Sequence, residues 1–318
     1  MRFPGIFLIG WHRTGHTSVE AVEAAHGRIP MVVVTGGSEG IGLAVAKRFA
    51  KAGHRVAIVA RREQELVRAA AEIEQLTGQR PLTIAQDVSE EDAGLRIDGA
   101  LANAGAYMDI LINNAAMGLA GRFMDEDIRN IDQLVAVNVM AVTRLTRHAL
   151  TGMVGRGRGG IVNVASLAGL IPGPYQAAYY ASKAYVISLT QSLAEEERGK
   201  GVRIVAAAPG PVNTDFHAEM GAEAALYRIL PLSMSPEAVA ASIYRGYWLG
   251  QRLIVPGLFN RLLATIVGIF PYRLIAPVMS WLLWPGEPSP EPQDANDAKQ
   301  TSAKRHVEGK LDGRNLHN

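Results

Sequence analysis

The sequence contains no cysteine, and this absence excludes several kinds of chemistry at once. A chain without cysteine forms no disulfide, uses no thiolate nucleophile and holds no metal through sulfur. We interpret its eight histidines as solvated or core residues, so no metal site is expected. The formal net charge is only +2 and the basic residues are scattered, which argues against a nucleic-acid partner.

Hydrophobic runs long enough to cross a membrane are also missing. The longest uncharged stretches near the C-terminus, 262–272 and 274–286, are shorter than the ~20 residues that a spanning helix needs. The apolar stretch at the N-terminus is short and is not followed promptly by a small-residue cleavage pattern, so it is a poor signal peptide. A cytoplasmic location is therefore expected, with membrane association as the alternative.

The chain does have enough apolar sequence for a large core. It has 318 residues, of which 48% are hydrophobic, and this suits one domain of ~250 residues with appendages or two smaller domains. Met31 begins the first recognisable strand, so the residues before it are either an ordered extension or an artefact of start-site choice. The expected segments are an N-terminal extension at 1–30, a main domain at 31–257, an apolar helical segment at 258–284 and a disordered tail at 285–318.

Short apolar runs alternate with helical patterns from Met31 onward. Runs of β-branched residues without polar alternation are typical of strands that are buried on both faces. Their alternation with helices predicts an α/β fold with a Rossmann-type, doubly wound parallel sheet and helices on both faces. The expected strands are 32–34, 56–60, 82–85, 110–112, 161–164 and 203–207, and the expected helices include 41–51, 63–76, 134–153 and 178–197.

A glycine-rich turn of sequence TGGSEGIG directly follows the first strand and opens a helix. Glycines in this context permit a tight turn, a close approach of the backbone to a pyrophosphate and close helix packing. The helix N-terminus adds free N–H groups and a positive dipole end. The residues expected to contact a dinucleotide here are Thr35, Gly36, Ser38, Gly40, Ile41 and Gly42.

The end of the second strand indicates which dinucleotide is preferred. Ala60 occupies the position where an NAD site carries a carboxylate for the ribose, and Arg61 follows it. Because an arginine fork matches a 2′-phosphate, NADP(H) is favoured and NAD(H) remains the alternative. Glu39 in the glycine turn works against this preference. Arg62 is interpreted as a solvated residue at a helix start.

Three later strand ends carry further candidates for cofactor contacts. Asp87 could accept a hydrogen bond from an adenine amino group, although a helix-capping role is an equal alternative. The loops at strand ends form the ligand crevice of such a sheet. The candidates in this group are Asp87, Val88, Asn114, Ala115, Pro209, Gly210, Val212 and Thr214.

Tyr179 and Lys183 lie four residues apart in a predicted helix, so they share a face. A cation beside a phenol favours the phenolate and lowers its pKa, which suits the phenol to acid/base chemistry. Ser166, arriving from another element, could hold a substrate oxygen. Asn138 lies inside a helix, where an amide side chain needs a partner. A water that links it to Lys183 would supply one, and a merely structural role is the alternative.

Together these motifs resemble the short-chain dehydrogenase/reductase family. The pattern TGxxxGxG, the pair DV, the run NNA, the helical Asn, the Ser, YxxxK and PGxVxT occur here in the family's order, between about Met31 and Gly257. The family usually has NNAG, and Ala116 replaces that glycine here. The resemblance implies a sheet of about seven strands and a homodimer or homotetramer. It also implies a catalytic set of Asn138, Ser166, Tyr179 and Lys183.

The resemblance, together with the preference for NADP(H) drawn from Arg61, leads us to expect an NADP-dependent reductase of a ketone or aldehyde. In this mechanism Ser166 binds the substrate carbonyl oxygen, Tyr179 donates a proton to it, Lys183 lowers the tyrosine pKa and binds the nicotinamide ribose, and Asn138 positions a water. An apolar segment after Gly257 resembles a subgroup that acts on acyl-chain or lipid-like ketones. The alternatives are an NAD-dependent alcohol dehydrogenase and a catalytically silent nucleotide-binding scaffold or sensor.

The apolar segment at 253–284 has two further interpretations. It is either a pair of helices that cover the pocket or a partner subunit, or an interfacial anchor that makes peripheral contact with a membrane.

Overall fold

The computed structural model describes residues 27–216, 220–221, 233–267 and 270–284. The predictions for residues 1–26 and for the tail at 285–318 lie outside the described residues. Within them the predicted α/β class is confirmed, with a parallel sheet of seven strands and helices on both faces. The strands are β1 (Ile29–Thr35), β2 (Arg55–Ala60), β3 (Leu82–Ala85), β4 (Ala106–Asn113), β5 (Gly159–Val164), β6 (Val202–Ala207) and β7 (Leu253–Ile254).

The strand order across the sheet is β3-β2-β1-β4-β5-β6-β7. The chain moves outward from β1 to β3 and then returns to the other side of β1 with β4. Since the crossovers diverge between β1 and β4, the carboxyl ends of these two strands border a crevice, which is where such sheets bind ligands.

Helices cover both faces of the sheet and continue beyond its last strand. They are α1 (Gly40–Lys51), α2 (Glu63–Thr77), α3 (Ala93–Asn103), α4 (Ile128–Val135), α5 (Val142–Arg156), α6 (Ala177–Glu196), α7 (Pro236–Trp248), α8 (Leu258–Val267) and α9 (Tyr272–Leu282). A six-residue π-helical turn, Ala136–Ala141, joins α4 to α5.

The two faces of the sheet bury separate apolar cores, which explains why the strands lack polar alternation. In β1, Val32 and Val34 enter one core together with Phe49 of α1. Val33 enters the other core, together with Leu145 of α5. Successive residues of one strand therefore point into opposite cores, and both must be apolar.

Several predicted boundaries shift by a few residues. The first strand begins at Ile29 rather than at 31, and the helix predicted at 178–197 spans Ala177–Glu196. The single helix predicted over 134–153 was wrong in one respect, because it starts at Ile128 and contains the π-helical turn at Asn138. An extra residue per turn is not visible in hydrophobic periodicity, so the pattern read as one continuous α-helix.

Candidate active site

A cavity of about 960 Å³ opens at the carboxyl ends of the strands. Its wall includes the glycine turn at one part and Ser166, Tyr179 and Lys183 at another. The fold therefore brings together residues from the first and the second half of the chain. The predicted site residues that line it are Gly36, Ser38, Gly40, Ile41, Arg61, Asp87, Val88, Asn114, Ala115, Ser166, Tyr179, Lys183, Pro209, Gly210, Val212 and Thr214.

The glycine turn has a shape that only small residues allow. Gly36 and Gly40 have positive φ angles of 60° and 54°, a conformation that strains any residue with a Cβ. A Cβ on Gly42 would lie 2.0 Å from the Gly36 carbonyl oxygen and 2.5 Å from Nδ2 of Asn114. Gly42 therefore permits close packing of the turn on itself and on Asn114, rather than the expected packing of the helix on the sheet.

The first turn of α1 fits the phosphates of a dinucleotide. The side chain of Glu39 at the N-cap makes no hydrogen bond to the helix, and the first turn carries no acidic residue. The amide groups at this end therefore have no side-chain cap and can face an anion in the cavity. This arrangement, with its two positive-φ glycines, matches the pyrophosphate cradle that the sequence predicts.

Thr35 and Asn114 brace the glycine turn. The Thr35 hydroxyl accepts hydrogen bonds from the backbone of Asn114 at 3.0 Å and of Ala115 at 3.1 Å. The Asn114 amide donates to the carbonyls of Thr35 and Gly36, at 3.1 Å each. Thr35 is buried and, like Gly42, does not line the cavity, so both are placed to shape the turn rather than to touch a ligand.

Two arginines follow β2, and each faces a carboxylate. Arg62 donates two hydrogen bonds of 2.9 Å to Glu39, which places it against the glycine turn rather than in solvent alone. Arg61 has its Nη1 3.9 Å from Asp87 and its side chain is 71% exposed. Arg61 therefore lies at the cavity edge with only a long ion pair, and it can turn to another anion.

Asp87 has a structural partner on one oxygen. Its Oδ1 accepts from the Ser89 backbone at 2.9 Å and the Ser89 hydroxyl at 2.7 Å, so it stabilises a turn, and the alternative prediction of a helix cap at Asp87 was wrong. The following helix begins only at Ala93. The second oxygen of Asp87 faces Arg61. Val88 is buried against the core and also lines the cavity.

Tyr179 and Lys183 lie on one face of α6, as their spacing predicts, and both are buried. The Lys183 ammonium is 5.6 Å from the centre of the Tyr179 ring and donates to the Val164 carbonyl at 3.2 Å. Burial lowers the pKa of Lys183 from 10.5 to about 8, because desolvation disfavours the charged amine. Phe216 packs on the Tyr179 ring at 5.8 Å between centroids.

Ser166 begins a short 3₁₀ turn after β5. Its hydroxyl accepts from the Ala168 backbone at 3.1 Å, and its distance to the Pro209 carbonyl is 3.4 Å. The second of these bonds is long, so the hydroxyl proton has only a weak acceptor within the protein. The Ser166 hydroxyl can therefore donate a hydrogen bond to a substrate oxygen in the cavity.

Asn138 has protein partners for its whole side chain. Its Oδ1 accepts from the Met117 backbone at 2.8 Å, and its Nδ2 donates to the Met117 carbonyl at 2.8 Å and to Ser182 at 3.1 Å. Asn138 is buried and does not line the cavity. The sequence suggested that a water would hydrogen-bond to this side chain, but Met117 and Ser182 do so instead. These bonds connect the loop after β4 to Ser182, the residue before Lys183.

The loop after β6 lies against the glycine turn at the edge of the cavity. A Cβ on Gly40 would lie 3.4 Å from the Thr214 side chain, so the two loops face each other. Gly210 packs on the buried Asn260 of α8, whose amide donates to the Pro256 carbonyl at 2.9 Å. Val212 is buried and pairs with Met234 in an isolated bridge.

The sequence predicted helices over the pocket as one alternative for 253–284, but it did not indicate which residues form the wall beside the phenol. Leu283, just after α9, is buried in one cluster with Tyr179 and Tyr180, and Met279 packs against it. Phe216 completes this apolar wall. The signal was the apolar composition of the C-terminal segment, which left a partner-subunit contact and a membrane anchor open as alternatives. The structure brings that segment onto the cavity through Met279, Leu282 and Leu283.

A family model for short chain dehydrogenases matches residues 30–225, which is more than half of the chain. The chain belongs to the short-chain dehydrogenase family. This confirms the resemblance drawn from its motifs, and members of the family bind NAD(P)(H).

Curated relatives of this short-chain dehydrogenase support the same placement. A short chain dehydrogenase of Pseudocercospora fijiensis is 39% identical over 188 residues, which cover 58% of this chain and 60% of the relative. A very-long-chain 3-oxoacyl-CoA reductase of Bos taurus is 37% identical over 57% of this chain and 59% of its own length. The chain thus aligns with about three fifths of these proteins. A 3beta-hydroxysteroid dehydrogenase of Eggerthella lenta is 34% identical over 71% of this chain and 92% of its own.

Solved structures share the fold. A short-chain dehydrogenase from Sphingobium yanoikuyae in complex with NADPH has a TM-score of 0.67 and 27% identity, and the match covers 82% of this chain and 99% of the other. A bulky-bulky ketone specific alcohol dehydrogenase from Comamonas testosteroni has a TM-score of 0.63 and 28% identity over 76% of this chain and 94% of its own.

Proposed function

We propose that this short-chain dehydrogenase is an NADP-dependent oxidoreductase that reduces a lipophilic ketone or aldehyde. The observation that carries the proposal is that Tyr179, Lys183 and Ser166 line the same cavity as the glycine turn and an apolar wall. The names of the bovine and Eggerthella relatives refer to very-long-chain 3-oxoacyl-CoA and to a hydroxysteroid, both lipophilic, and this supports the substrate class.

The proposed chemistry assigns a separate task to each side chain. Ser166 donates a hydrogen bond to the substrate carbonyl oxygen. This costs little, because the hydroxyl loses only a long 3.4 Å contact with the Pro209 carbonyl oxygen. Tyr179 donates its proton to the same oxygen, and Lys183 stabilises the phenolate that remains. When bound, NADPH supplies the hydride to the carbonyl carbon. In the reverse direction the Tyr179 phenolate takes the alcohol proton.

Asn138 is proposed to act as a positioning residue. Its amide fixes the Met117 backbone and Ser182, and Ser182 directly precedes Lys183 in α6. The Ser182 hydroxyl in turn donates to the Tyr179 carbonyl at 2.6 Å. Asn138 therefore holds the helical turn that carries both the phenol and the ammonium.

The preference for NADP(H) is proposed from the position of Arg61. The residue lies at the edge of the cavity, next to the position where an NAD site would carry a carboxylate, and Ala60 occupies that position. Its 3.9 Å contact with Asp87 is too long to be a strong pair. The NAD-dependent alternative is supported by Glu39, which neutralises Arg62.

A screen of NADPH consumption tests this function. Ketones of graded chain length and polarity are offered to the full-length chain, and NADH is compared under the same conditions. We expect turnover to rise with chain length and to be faster with NADPH. Tight NADPH binding with no turnover of any carbonyl would overturn the proposed activity and favour a nucleotide-binding scaffold.

A peripheral membrane contact through α8 and α9 is proposed as part of this function. These helices wall the cavity from one side, yet Leu262, Leu274 and Trp281 are 57, 61 and 64% exposed. The only charged residues in the sequence of α8 and α9 are two arginines, Arg261 and Arg273. This one-sided charge complements an anionic lipid surface. Among the described helices, none is long and apolar enough to cross a bilayer.

Vesicle flotation tests the membrane contact. The full-length chain should float with anionic vesicles and less with zwitterionic ones, and Leu274→Glu combined with Trp281→Glu should abolish flotation. If the chain floats with neither vesicle type, the proposed membrane contact is wrong. If the chain instead forms a dimer without vesicles and the double variant disrupts this dimer, the exposed face binds a second copy of the chain.

A homodimer or homotetramer is also proposed. Val135, Met140 and Tyr185 lie exposed around α4, the π-helical turn and α6, a strip that a second subunit could cover. Light scattering on the purified chain should give a mass of two or four subunits.

A further inference from the structure

Asn260, in the first turn of α8, has a polar side chain in the wall of the cavity. The residue is only 3% exposed, and its neighbours Phe259 and Leu263 on the same helix also line the cavity. Its Nδ2 donates to the Pro256 carbonyl at 2.9 Å and lies 3.6 Å from Sδ of Met234. These two acceptors fix the orientation of the amide, so Oδ1 lies on its other side.

The Oδ1 atom of Asn260 is an accessible acceptor. In the part of the chain that the structure describes, its amide makes bonds only through Nδ2, and no donor reaches Oδ1. The side-chain atoms that are sealed from solvent without a partner belong to other residues, so Oδ1 keeps an accessible face. Because Asn260 lines the cavity, this face is open to a ligand that carries an N–H or O–H group.

Gly210, in the loop after β6, makes room for this amide. A Cβ on Gly210 would lie 2.7 Å from both Oδ1 and Nδ2 of Asn260, so the amide lies across the face of the glycine. The φ of Gly210 is not positive, and its backbone therefore suits any residue. Only the space that the amide occupies requires a glycine here. The sequence thus brings Asn260 against the backbone of this loop.

The loop after β6 extends from the catalytic serine to the glycine turn. At its start the Pro209 carbonyl accepts from the backbone of Leu167 at 2.9 Å, next to Ser166. Further on, the side chain of Thr214 faces the glycine turn. A dinucleotide with its phosphates at the glycine turn must follow this loop if its nicotinamide is to reach a carbonyl held by Ser166. Asn260 lies against the Ser166 end of the loop, where the ring has to be.

We propose that Asn260 binds the carboxamide of the nicotinamide ring, with its Oδ1 accepting a hydrogen bond from the carboxamide amino group. Both NADPH and NADH carry this donor. Asn260 thereby restricts rotation of the ring and orients it for hydride transfer. The inference rests on the proposed oxidoreductase function of this cavity. Asn260 lies beyond residues 30–225, which the family model matches, so the family's motifs do not include it.

Binding of two dinucleotides tests the contact. In the 3-acetylpyridine analogue of NADP⁺ a methyl ketone replaces the carboxamide, so the N–H donor is missing. Asn260→Leu removes the acceptor at similar size, and Asn103→Leu, at an exposed position in α3, is the matched control. By calorimetry, Asn260→Leu should weaken NADP⁺ binding about five- to tenfold and leave the analogue nearly unchanged. Asn103→Leu should change neither. Equal effects on the two dinucleotides in Asn260→Leu would overturn the inference.

A ligand without the ring shows whether Asn260→Leu is folded. The dissociation constant of 2′-phospho-ADP-ribose should be the same for the variant and the native chain. If this ligand weakens as much as NADP⁺ does, Asn260 has only a structural role and the inference is wrong. The inference is also wrong if Asn260→Leu binds every dinucleotide normally but binds a hydroxylated ketone less tightly, because Oδ1 then serves the substrate.

These binding measurements need no turnover, which separates the inference from the proposed function. If the native chain reduces no carbonyl but shows the expected pattern, the carboxamide contact is upheld and only the reductase function is wrong. If the native chain reduces a ketone but Asn260→Leu binds NADP⁺ normally, only the contact is wrong. Should the chain bind NAD⁺ instead of NADP⁺, the 3-acetylpyridine analogue of NAD⁺ and ADP-ribose give the same comparison.

Discussion

Arg62 donates two hydrogen bonds of 2.9 Å to the carboxylate of Glu39, and this pair joins the end of β2 to the glycine turn. Both side chains are about half exposed, so the pair is worth at most ~1 kcal/mol to stability. The pair affects cofactor binding more directly, because it neutralises one of the two arginines at this edge of the cavity. Arg61 then provides the charge that a 2′-phosphate would meet.

Exchanging these residues should change cofactor preference in opposite directions. Arg61→Ala should weaken NADPH binding by roughly tenfold or more and leave NADH binding nearly unchanged, because a charged hydrogen bond to the 2′-phosphate is lost. Glu39→Gln should tighten NADPH binding by up to about fivefold, since Arg62 is released. Fluorescence titration with both cofactors gives the constants. Unchanged NADPH binding in Arg61→Ala would contradict the assignment of Arg61.

Gly42→Ala should abolish dinucleotide binding. The added methyl would lie 2.0 Å from the Gly36 carbonyl, so the glycine turn must move away from Asn114. We expect NADPH affinity to fall by at least about a hundredfold and the free energy of unfolding to drop by ~1–3 kcal/mol. Gly99→Ala in α3 is the matched control, because a Cβ there meets nothing within 4 Å. The control should be neutral or slightly stabilising. Native affinity in Gly42→Ala would show that the turn does not bind the phosphates.

Lys183→Met should stabilise the protein at neutral pH while it removes activity. Burial lowers the folded-state pKa of Lys183 to about 8 from 10.5, so the unfolded chain binds the proton more tightly. This difference costs roughly 3 kcal/mol below pH 8, and the cost disappears as the pH rises towards the unfolded pKa. Allowing for the lost bond to Val164, we expect a gain of ~2 kcal/mol at pH 7 that shrinks between pH 8 and 10.5.

Denaturant unfolding across this pH range checks the prediction, with the exposed Lys51→Met in α1 as the control for loss of a lysine charge. A gain that does not depend on pH would contradict the assigned burial effect. In the native enzyme, reduction should also slow as the pH rises through about 8, since Lys183 then loses the charge that stabilises the phenolate.

Asn138→Ala should lower stability and turnover together. The substitution leaves the Met117 N–H and carbonyl without their 2.8 Å partners, which costs about 2–4 kcal/mol. If Asn138 positions the turn that carries Tyr179 and Lys183, kcat should fall more than KM rises, and the pH profile should shift. A loss of stability with native kcat and an unshifted profile would show a structural role only.

The sequence was most informative where function depends on short spacings. The glycine turn and the pair Tyr179 and Lys183 were predicted because each lies within one turn or helix, and their geometry follows from local rules. The partners of Asn138 and Asn114 were not, because Asn114 meets Gly36 across 78 positions of the chain. Contacts of that kind depend on the order of strands in the sheet, which spacing alone does not reveal.

The apolar C-terminal segment shows the same limit. Its composition indicated a helical pair, and α8 and α9 form one, but nothing in the pattern specified that Leu283 would pack near Tyr179.

The central claim is that Tyr179 donates the proton, and Tyr179→Phe measures this most directly. Tyr180→Phe is the control, since Tyr180 also lines the cavity but has no lysine four residues on. With a ketone that the native chain reduces, Tyr179→Phe should lower kcat by about 10²–10⁴-fold with little change in NADPH affinity. Tyr180→Phe should keep most of its turnover. Full turnover by Tyr179→Phe would contradict the account.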